Sequence, residues 1–240
     1  MTKQHKVSVL MPVYNSAEYV AETINSILLQ TFTDFEFIIV DDGSTDNSRE
    51  IIRSYNDERI CFYENESNLG IAETRNKLMN LASGEYWAVV DNDDISLPER
   101  FAKQVAYLDS HPDVGIVSSW IQYFPDELQV CKSLPRYGLM ELLHFKPFLA
   151  HPASMLRGNL FRKHNISYQD KYRYAEDYDV WFQALPFMKI DAIQEILLRY
   201  RWNGENTTVK QFQAHIASAN RVKEDHIGWL TSDENRQKKC

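Results

Sequence analysis

The chain has 240 residues, 44% of them hydrophobic and 12% aromatic, enough for one sizeable core and too apolar for wholesale disorder. Its net charge of −8 argues against non-specific nucleic-acid binding, which needs clustered Lys and Arg. Three scattered cysteines, Cys61, Cys131 and Cys240, suggest neither a disulfide framework nor a zinc site and fit a reducing cytoplasm.

The opening "MTKQHKVSVLMPVYN" lacks the apolar length of a signal peptide, and no apolar run reaches the roughly 18 residues of a membrane span. A cytoplasmic protein is expected, with peripheral contact to the inner face of a membrane left open. "KVSVLMPV" reads as a first strand, apolar on both faces as buried parallel strands are, and ended by Pro12. "NSAEYVAETINSILLQ" places Val20, Ile24, Ile27 and Leu28 at helical spacing, with Asn15 or Ser16 as the cap. "FEFIIV" is a second strand. "DDGSTDNSREIIRSY" then turns through Gly43 into a helix capped at Thr45 or Asp46. "RICFYE" and "GIAETRNKLMNLA" form a third strand and helix, and "EYWAVV" a fourth strand. "PERFAKQVAYLDSH" is a helix with Pro98 in its first turn, followed by a fifth strand in "VGIVSSW".

Strands alternating with helices over about 120 residues predict an α/β fold: a Rossmann-like, open, twisted, mainly parallel sheet flanked by helices. Beyond residue 120 the rhythm breaks. "YGLMELLHF", "GNLFRKH" and "DYDVWFQALPF" read as helices, and "ASMLR" and "EILLRYRW" as strands. This part is expected to complete the sheet and cover one end of it, before a polar tail, "SDENRQKKC".

Open α/β sheets bind ligands beyond the carboxyl ends of their strands, so the residues after each strand carry the chemistry. They are Pro12-Val13-Tyr14-Asn15, then Asp41-Asp42-Gly43-Ser44, then the run from Asn65 to Gly70, then Asp91-Asn92-Asp93-Asp94. No GxGxxG follows the first strand and no GxxxxGK[ST] occurs, so a nucleotide's phosphates need another neutraliser. Mg²⁺ or Mn²⁺ suits carboxylate oxygens, and Asp91 and Asp93 have the spacing to serve one ion. Taken alone, the same acidic run could equally cap the next helix.

The strings "VSVLMPVYNSAEYVAETINSILLQTFTDFEFIIVDDGSTDNS", "NLGIAETRNKLMNLASGEYWAVVDNDD", "HPASMLR" and "AEDYDVWFQAL" resemble the family 2 glycosyltransferases. The resemblance covers about residues 6–205. It implies a GT-A fold in which residues 1–120 bind the nucleotide sugar and 121–210 form the acceptor-binding, catalytic half, with a C-terminal helix and tail over 211–240. It implies inverting sugar transfer from a nucleoside diphosphate sugar, most often a UDP-sugar, to an acceptor hydroxyl. The acceptor class it implies is a lipid-linked or growing cell-surface glycan.

Residue by residue, the resemblance puts Pro12, Val13 and Tyr14 against the nucleobase, with Tyr14 stacking on it. Asp42 accepts a hydrogen bond from the base, with Asp41 as its companion. Arg75 stands near the diphosphate, and the loop Asn68-Leu69-Gly70 feeds its helix, whose N-terminus favours anions. Asp93 binds the metal, Asp91 the ribose or an ion-bound water, and Asp94 supports them. Asp177 is the base that takes the acceptor's proton and Glu176 holds a sugar, while Asp179 is expected to point elsewhere and Trp181 to be core. His151 lies near the donor and Arg201 near phosphate. Where family members often read Tyr-Arg-x-His, this chain has Tyr200-Arg201-Trp202-Asn203, so an outer metal ligand is in doubt. Two enzymatic or binding rivals share parts of this pattern: a nucleotide-sugar-binding protein without turnover, and a nucleotidyltransferase, which usually carries a basic Gly-rich loop after the first strand. A receiver-type phosphoacceptor needs an acidic pair where this chain has "PVYN".

Overall fold

In the computed structural model, residues 5–125, 129–144, 149–202, 206 and 210–231 are described. The chain opens with β1 (Val7–Val13), α1 (Val20–Leu28), β2 (Phe35–Asp41), α2 (Ser48–Arg53), β3 (Ile60–Glu64), α3 (Ile71–Leu81) and β4 (Tyr86–Val89). A two-residue strand, β5 (Ile95–Ser96), precedes α4 (Arg100–Ser110) and β6 (Val114–Phe124). Then come β7 (Val130–Cys131), α5 (Leu139–His144), β8 (Met155–Arg157), α6 (Gly158–Lys163), α7 (Glu176–Ala184), β9 (Lys189–Arg201) and α8 (Phe212–Thr231). One nine-stranded sheet results, ordered β3-β2-β1-β4-β8-β6-β9-β5, with β7 attached to β6. The long ladders, β1 to β2, β2 to β3, β1 to β4 and β6 to β9, are parallel. Short β8 runs antiparallel between β4 and β6 and joins the two parallel groups. Residue 120, where the two expected halves meet, falls inside β6, so the sheet is continuous across it.

The doubly apolar strands form because both faces of the sheet are covered. Val7, Val9, Met11 and Val13 of β1 pack on one side with Phe35, Phe37 and Ile39 of β2 and with Ile24, Ile27 and Phe101 of the helices. Leu10, Ile38, Val40, Trp87 and Val89 face the other side, against Leu78 of α3 and Phe161, Val180 and Trp181 of the second half. Side chains alternate along a strand, so helices on both faces favour apolar residues on both, and the polar exceptions, Ser8 and Glu36, hydrogen-bond each other (2.5 Å). Each fully buried Val, Ile or Leu contributes roughly 1.5–3 kcal/mol.

Pro12 does not end β1, which continues to Val13. The even-numbered peptides face β4, since the Leu10 carbonyl accepts from the Val90 amide (3.1 Å). The odd-numbered ones face β2, since the Val13 carbonyl accepts from the Asp42 amide (2.7 Å). The N–H that Pro12 lacks would therefore point past Leu10↔Val89, the last β1–β4 pair, and no ladder bond is lost. The expected cap of α1 is also displaced. Tyr19 holds the cap position without a side-chain cap bond, and Asn15 and Ser16 are used between loops. The Asn15 Oδ1 accepts the Thr45 amide (2.8 Å), and the Ser16 hydroxyl donates to the Asn92 carbonyl (3.2 Å). At α2 the cap position is Asn47, but Asp46 Oδ1 accepts the Ser48 amide (3.0 Å) and so does part of a cap's work. Among the described residues no helix is long and apolar enough to cross a membrane.

Candidate active site

β1 lies between β2 and β4, so the winding of the sheet changes direction there and a crevice opens beyond the strand ends. The loop after β4 is the acidic run 91–94, and four hydrogen bonds hold it. Asn92 Nδ2 donates to the Pro12 carbonyl (3.2 Å), Arg201 Nε to the Asp93 carbonyl (2.8 Å), Thr23 Oγ1 to the Asp94 carbonyl (2.9 Å), and the Arg201 amide to Asp94 Oδ1 (2.9 Å). The loop runs into β5, which pairs with β9 through Ile95↔Arg199 and Ser96↔Leu198. Neither β5 nor this clamp was expected, because a two-residue strand has no readable period.

Within the loop the three carboxylates differ. Asp94 is 1% exposed, and its second oxygen, Oδ2, is buried without a hydrogen bond. Burial first, then the charges of Asp93 and Asp91, hold its carboxyl well above the usual range. Asp93 is pushed up to about 6, by burial and then by Asp91. Asp91 Oδ1 instead accepts from Arg75 Nη2 at 3.0 Å. Beneath them Arg100 of α4 is fully buried. It donates to the Ser96 hydroxyl (2.9 Å) and the carbonyls of Val89 (2.7 Å) and Ser154 (3.2 Å), tying the end of β4 to the start of β8. Burial pulls this guanidinium down to about 9, while Asp94 and Asp91 oppose the fall. Arg100→Met should strand the Val89 carbonyl and remove the cation beside buried Asp94, costing about 3–5 kcal/mol in a urea unfolding titration. A loss below 1 kcal/mol would show that the network is not what holds this loop.

Arg75 of α3 links the two halves of the sheet. Besides Asp91, it lies 3.9 Å from Glu176 Oε1 on α7. Burial opposes its charge, but Asp91, Tyr168, Glu176 and Asp177 outweigh burial and keep it firmly protonated. Glu176 is 7% exposed, with Oε2 buried and unbonded. Asp177 is partly exposed and accepts the Tyr178 amide at Oδ1 (2.7 Å). Burial raises both carboxyls and Arg75 limits the rise. Asp179 does point elsewhere: it pairs with His226 of α8 (2.7 Å) and accepts from Gln183 (2.6 Å). Trp181 is core at 3% exposure.

At the other end of the crevice Tyr14 is 47% exposed, whereas Val13 is buried. Asp41 is fully buried, bonded through Oδ1 to Arg49 Nε (2.6 Å) and the Ser44 amide (2.9 Å), with Oδ2 unpartnered. Asp42 accepts from Asn65 Nδ2 (2.7 Å) and from the amides of Leu69 (2.9 Å) and Gly70 (3.0 Å). The anion at the start of α3 is thus the protein's own Asp42, which shapes the loop 65–70. Gly43, at φ 78°, lets that loop approach closely: a Cβ there would lie 2.6 Å from the Asn68 amide nitrogen. His151 is 2% exposed and shares a 2.8 Å hydrogen bond with the Tyr168 hydroxyl. Burial, then Arg75 and Arg100, hold it well below its usual range, so it is neutral. Arg201 is partly buried: its guanidinium pairs with Glu22 and lies over the Tyr19 and Phe124 rings at 4.5 and 4.4 Å. Asn203 lies outside the described residues.

The geometry brings Asp91, Arg75, Glu176 and Asp177 together and places Asp93 beside Asp91. Among the described residues no three His, Cys, Asp or Glu side chains form a metal cage. Two aspartates offering only oxygen still fit a hard divalent ion whose other ligands are phosphate and water. Partly buried Asp93, raised to about 6 beside Asp91, is a carboxylate that a cation would favour in its charged form.

The sequence profile described as Glycosyl transferase family 2 matches residues 8–166. An uncharacterized glycosyltransferase of Methanocaldococcus jannaschii is 38% identical over 205 residues, covering 81% of this chain and 70% of that protein. One from Haemophilus influenzae is 28% identical over 235 residues, covering 92% and 73%. The structure of S. aureus TarS 1–349 in complex with UDP-GlcNAc aligns with a TM-score of 0.78 at 24% identity, over 95% of this chain and 67% of that one. With the UDP complex of TarS 1–349 the share of that chain is 66%. The mannosyltransferase PcManGT of Pyrobaculum calidifontis, in complex with GDP-Man and Mn²⁺, aligns at 0.69 with 18% identity, over 92% of this chain and 65% of that one. The chain belongs to glycosyl transferase family 2, and its mainly parallel sheet is a GT-A fold.

Proposed function

We propose that this glycosyltransferase moves a sugar from a nucleoside diphosphate sugar, with UDP as the expected nucleotide, to an acceptor hydroxyl with inversion. The observation that carries the proposal is Arg75, one largely desolvated cation, its side chain 12% exposed, between Asp91 of the nucleotide half and Glu176, next to Asp177, of the other half. A diphosphate beside Arg75 gains a fixed cation, and the sugar it carries then lies toward the Glu176–Asp177 pair. Asp177 takes the proton of the acceptor hydroxyl as the oxygen bonds to the anomeric carbon. The bond to the diphosphate breaks on the opposite face, which inverts the centre. Glu176 holds a sugar beside it. Pro12, Val13 and exposed Tyr14 line the base site, with Asp41 and Asp42 behind them.

Asp93 and Asp91 would hold the divalent ion, Mn²⁺ or Mg²⁺, which supplies Lewis-acid stabilisation of the leaving diphosphate. The UDP-GlcNAc bound to TarS and the GDP-Man and Mn²⁺ bound to PcManGT, both on this fold, support a nucleotide sugar and a metal. The acceptor is a cell-surface glycan or a lipid-linked precursor, met on the cytoplasmic side of the membrane. A thermal-shift panel of UDP, GDP and their sugars, with and without Mn²⁺, tests the reading. One nucleotide should stabilise the protein in a Mn²⁺-dependent way, by roughly 2.7 kcal/mol at a hundredfold excess over Kd. No shift with any nucleotide, with or without metal, would count against it.

A further inference from the structure

We propose that Tyr168 is a positioning residue whose ring is the shelf on which Arg75 is held between Asp91 and Glu176. The inference rests on the reading of Arg75 as a diphosphate ligand and adds a residue that no sequence motif marks. Tyr168 is 4% exposed, and the Arg75 guanidinium lies over its ring, 5.4 Å from the centroid. A desolvated cation on an aromatic face is held by the ring quadrupole. The shelf is fixed at both ends. Its backbone forms a reciprocal pair with Asn76, the residue after Arg75: the Tyr168 amide donates to Asn76 Oδ1 (2.9 Å), and Asn76 Nδ2 donates to the Tyr168 carbonyl (2.9 Å). Its hydroxyl shares the 2.8 Å hydrogen bond with His151 Nε2. His151 is itself held edge-on to the Tyr168 ring at 5.7 Å and against Trp181 at 5.6 Å.

Arg75 needs such a support. Its two terminal nitrogens face Asp91 and Glu176, and its Nε is buried without a hydrogen bond. A small apolar cavity bounded by Pro12, Met79, Arg75 and Tyr168 lies alongside. Without the ring, a long side chain next to empty space has room to leave the position between the two carboxylates, and its rotamer freedom favours leaving. Tyr168 touches neither reacting atom; it acts through Arg75.

A double-mutant cycle reads this. UDP or GDP with Mn²⁺, whichever binds the wild type more tightly, is titrated into wild type, Tyr168→Leu, Arg75→Met and the double variant, with unfolding temperatures measured alongside. Tyr168→Leu should weaken binding about tenfold in the wild-type background and less than twofold in the Arg75→Met background. Tyr168→Phe, which keeps the ring, should restore binding to within about threefold of wild type. Equal losses in both backgrounds, or a Phe variant as weak as Leu, would overturn the assignment of the shelf while leaving Arg75's own role intact. An Arg75→Met protein that binds as well as wild type would instead overturn the diphosphate reading, and the shelf with it. If the Leu variant does not fold, Tyr168→Met, which fills the space with a flexible apolar chain, runs the same cycle under the same criteria.

Discussion

Asp177→Asn should lower kcat by roughly 10²–10⁴-fold, the usual contribution of a positioned general base, and leave nucleotide affinity within about threefold. The split follows from where the residue sits. Asp177 is on α7, across Arg75 from the nucleotide loops. The Asn side chain can still accept the Tyr178 amide at Oδ1, so α7 keeps its first turn. The pH profile of the wild type carries a second, independent sign. A base works ionised, and burial raises the Asp177 carboxyl while Arg75 only limits the rise. Activity should therefore fall as pH drops through that raised value, on an acid limb that lies above the ordinary aspartate range. For stability, a carboxyl raised on folding favours the folded state at low pH. That advantage is lost as pH rises through the ordinary and then the raised value. Asp177→Asn should thus hold or raise the melting temperature at neutral pH while turnover disappears. A variant that keeps wild-type kcat would remove Asp177 as the base.

Asp93→Ala should remove the Mn²⁺-dependent part of nucleotide binding, about a hundredfold in affinity, as expected for losing a ligand of a Lewis-acidic ion. The backbone at this position is held through its carbonyl by Arg201 Nε, a bond that alanine retains, so the loop itself should survive. Isothermal titration with the preferred nucleoside diphosphate, in Mn²⁺ and again in excess chelator, separates the outcomes. Wild type in chelator should bind like the variant, and the variant should be indifferent to chelator. Persisting Mn²⁺ dependence in Asp93→Ala would move the ion to Asp91 or elsewhere.

The strands of the nucleotide half were legible because their patterning is simple. Between helices on both faces, "VSVLMPV" and "FEFIIV" are apolar at nearly every position, and little else in a chain reads that way. The acidic run after β4 was legible as a site because like charges need a reason to stand together at a strand end. Several details were not. Asn15 and Ser16 look like a helix cap, but their side chains reach across 30 and 76 residues to Thr45 and Asn92. Asp42 looks free for a base, yet three donors from the loop 65–70 occupy it. Tyr168 has no motif around it, and Arg100 reads as an ordinary charged residue on a helix.

Local sequence determined which segments are strands, which loops follow them and which carboxylates those loops carry, because hydrophobic period and turn chemistry act over a few residues. Only the tertiary structure decided what each charged group does. Arg75, Asp91, Tyr168 and Glu176 come from four separate segments, and whether a guanidinium is a solvated helix residue or a buried link depends on what is packed above it. Charge and hydrogen bonding change their worth with burial, and burial is set by contacts that no stretch of the chain contains by itself.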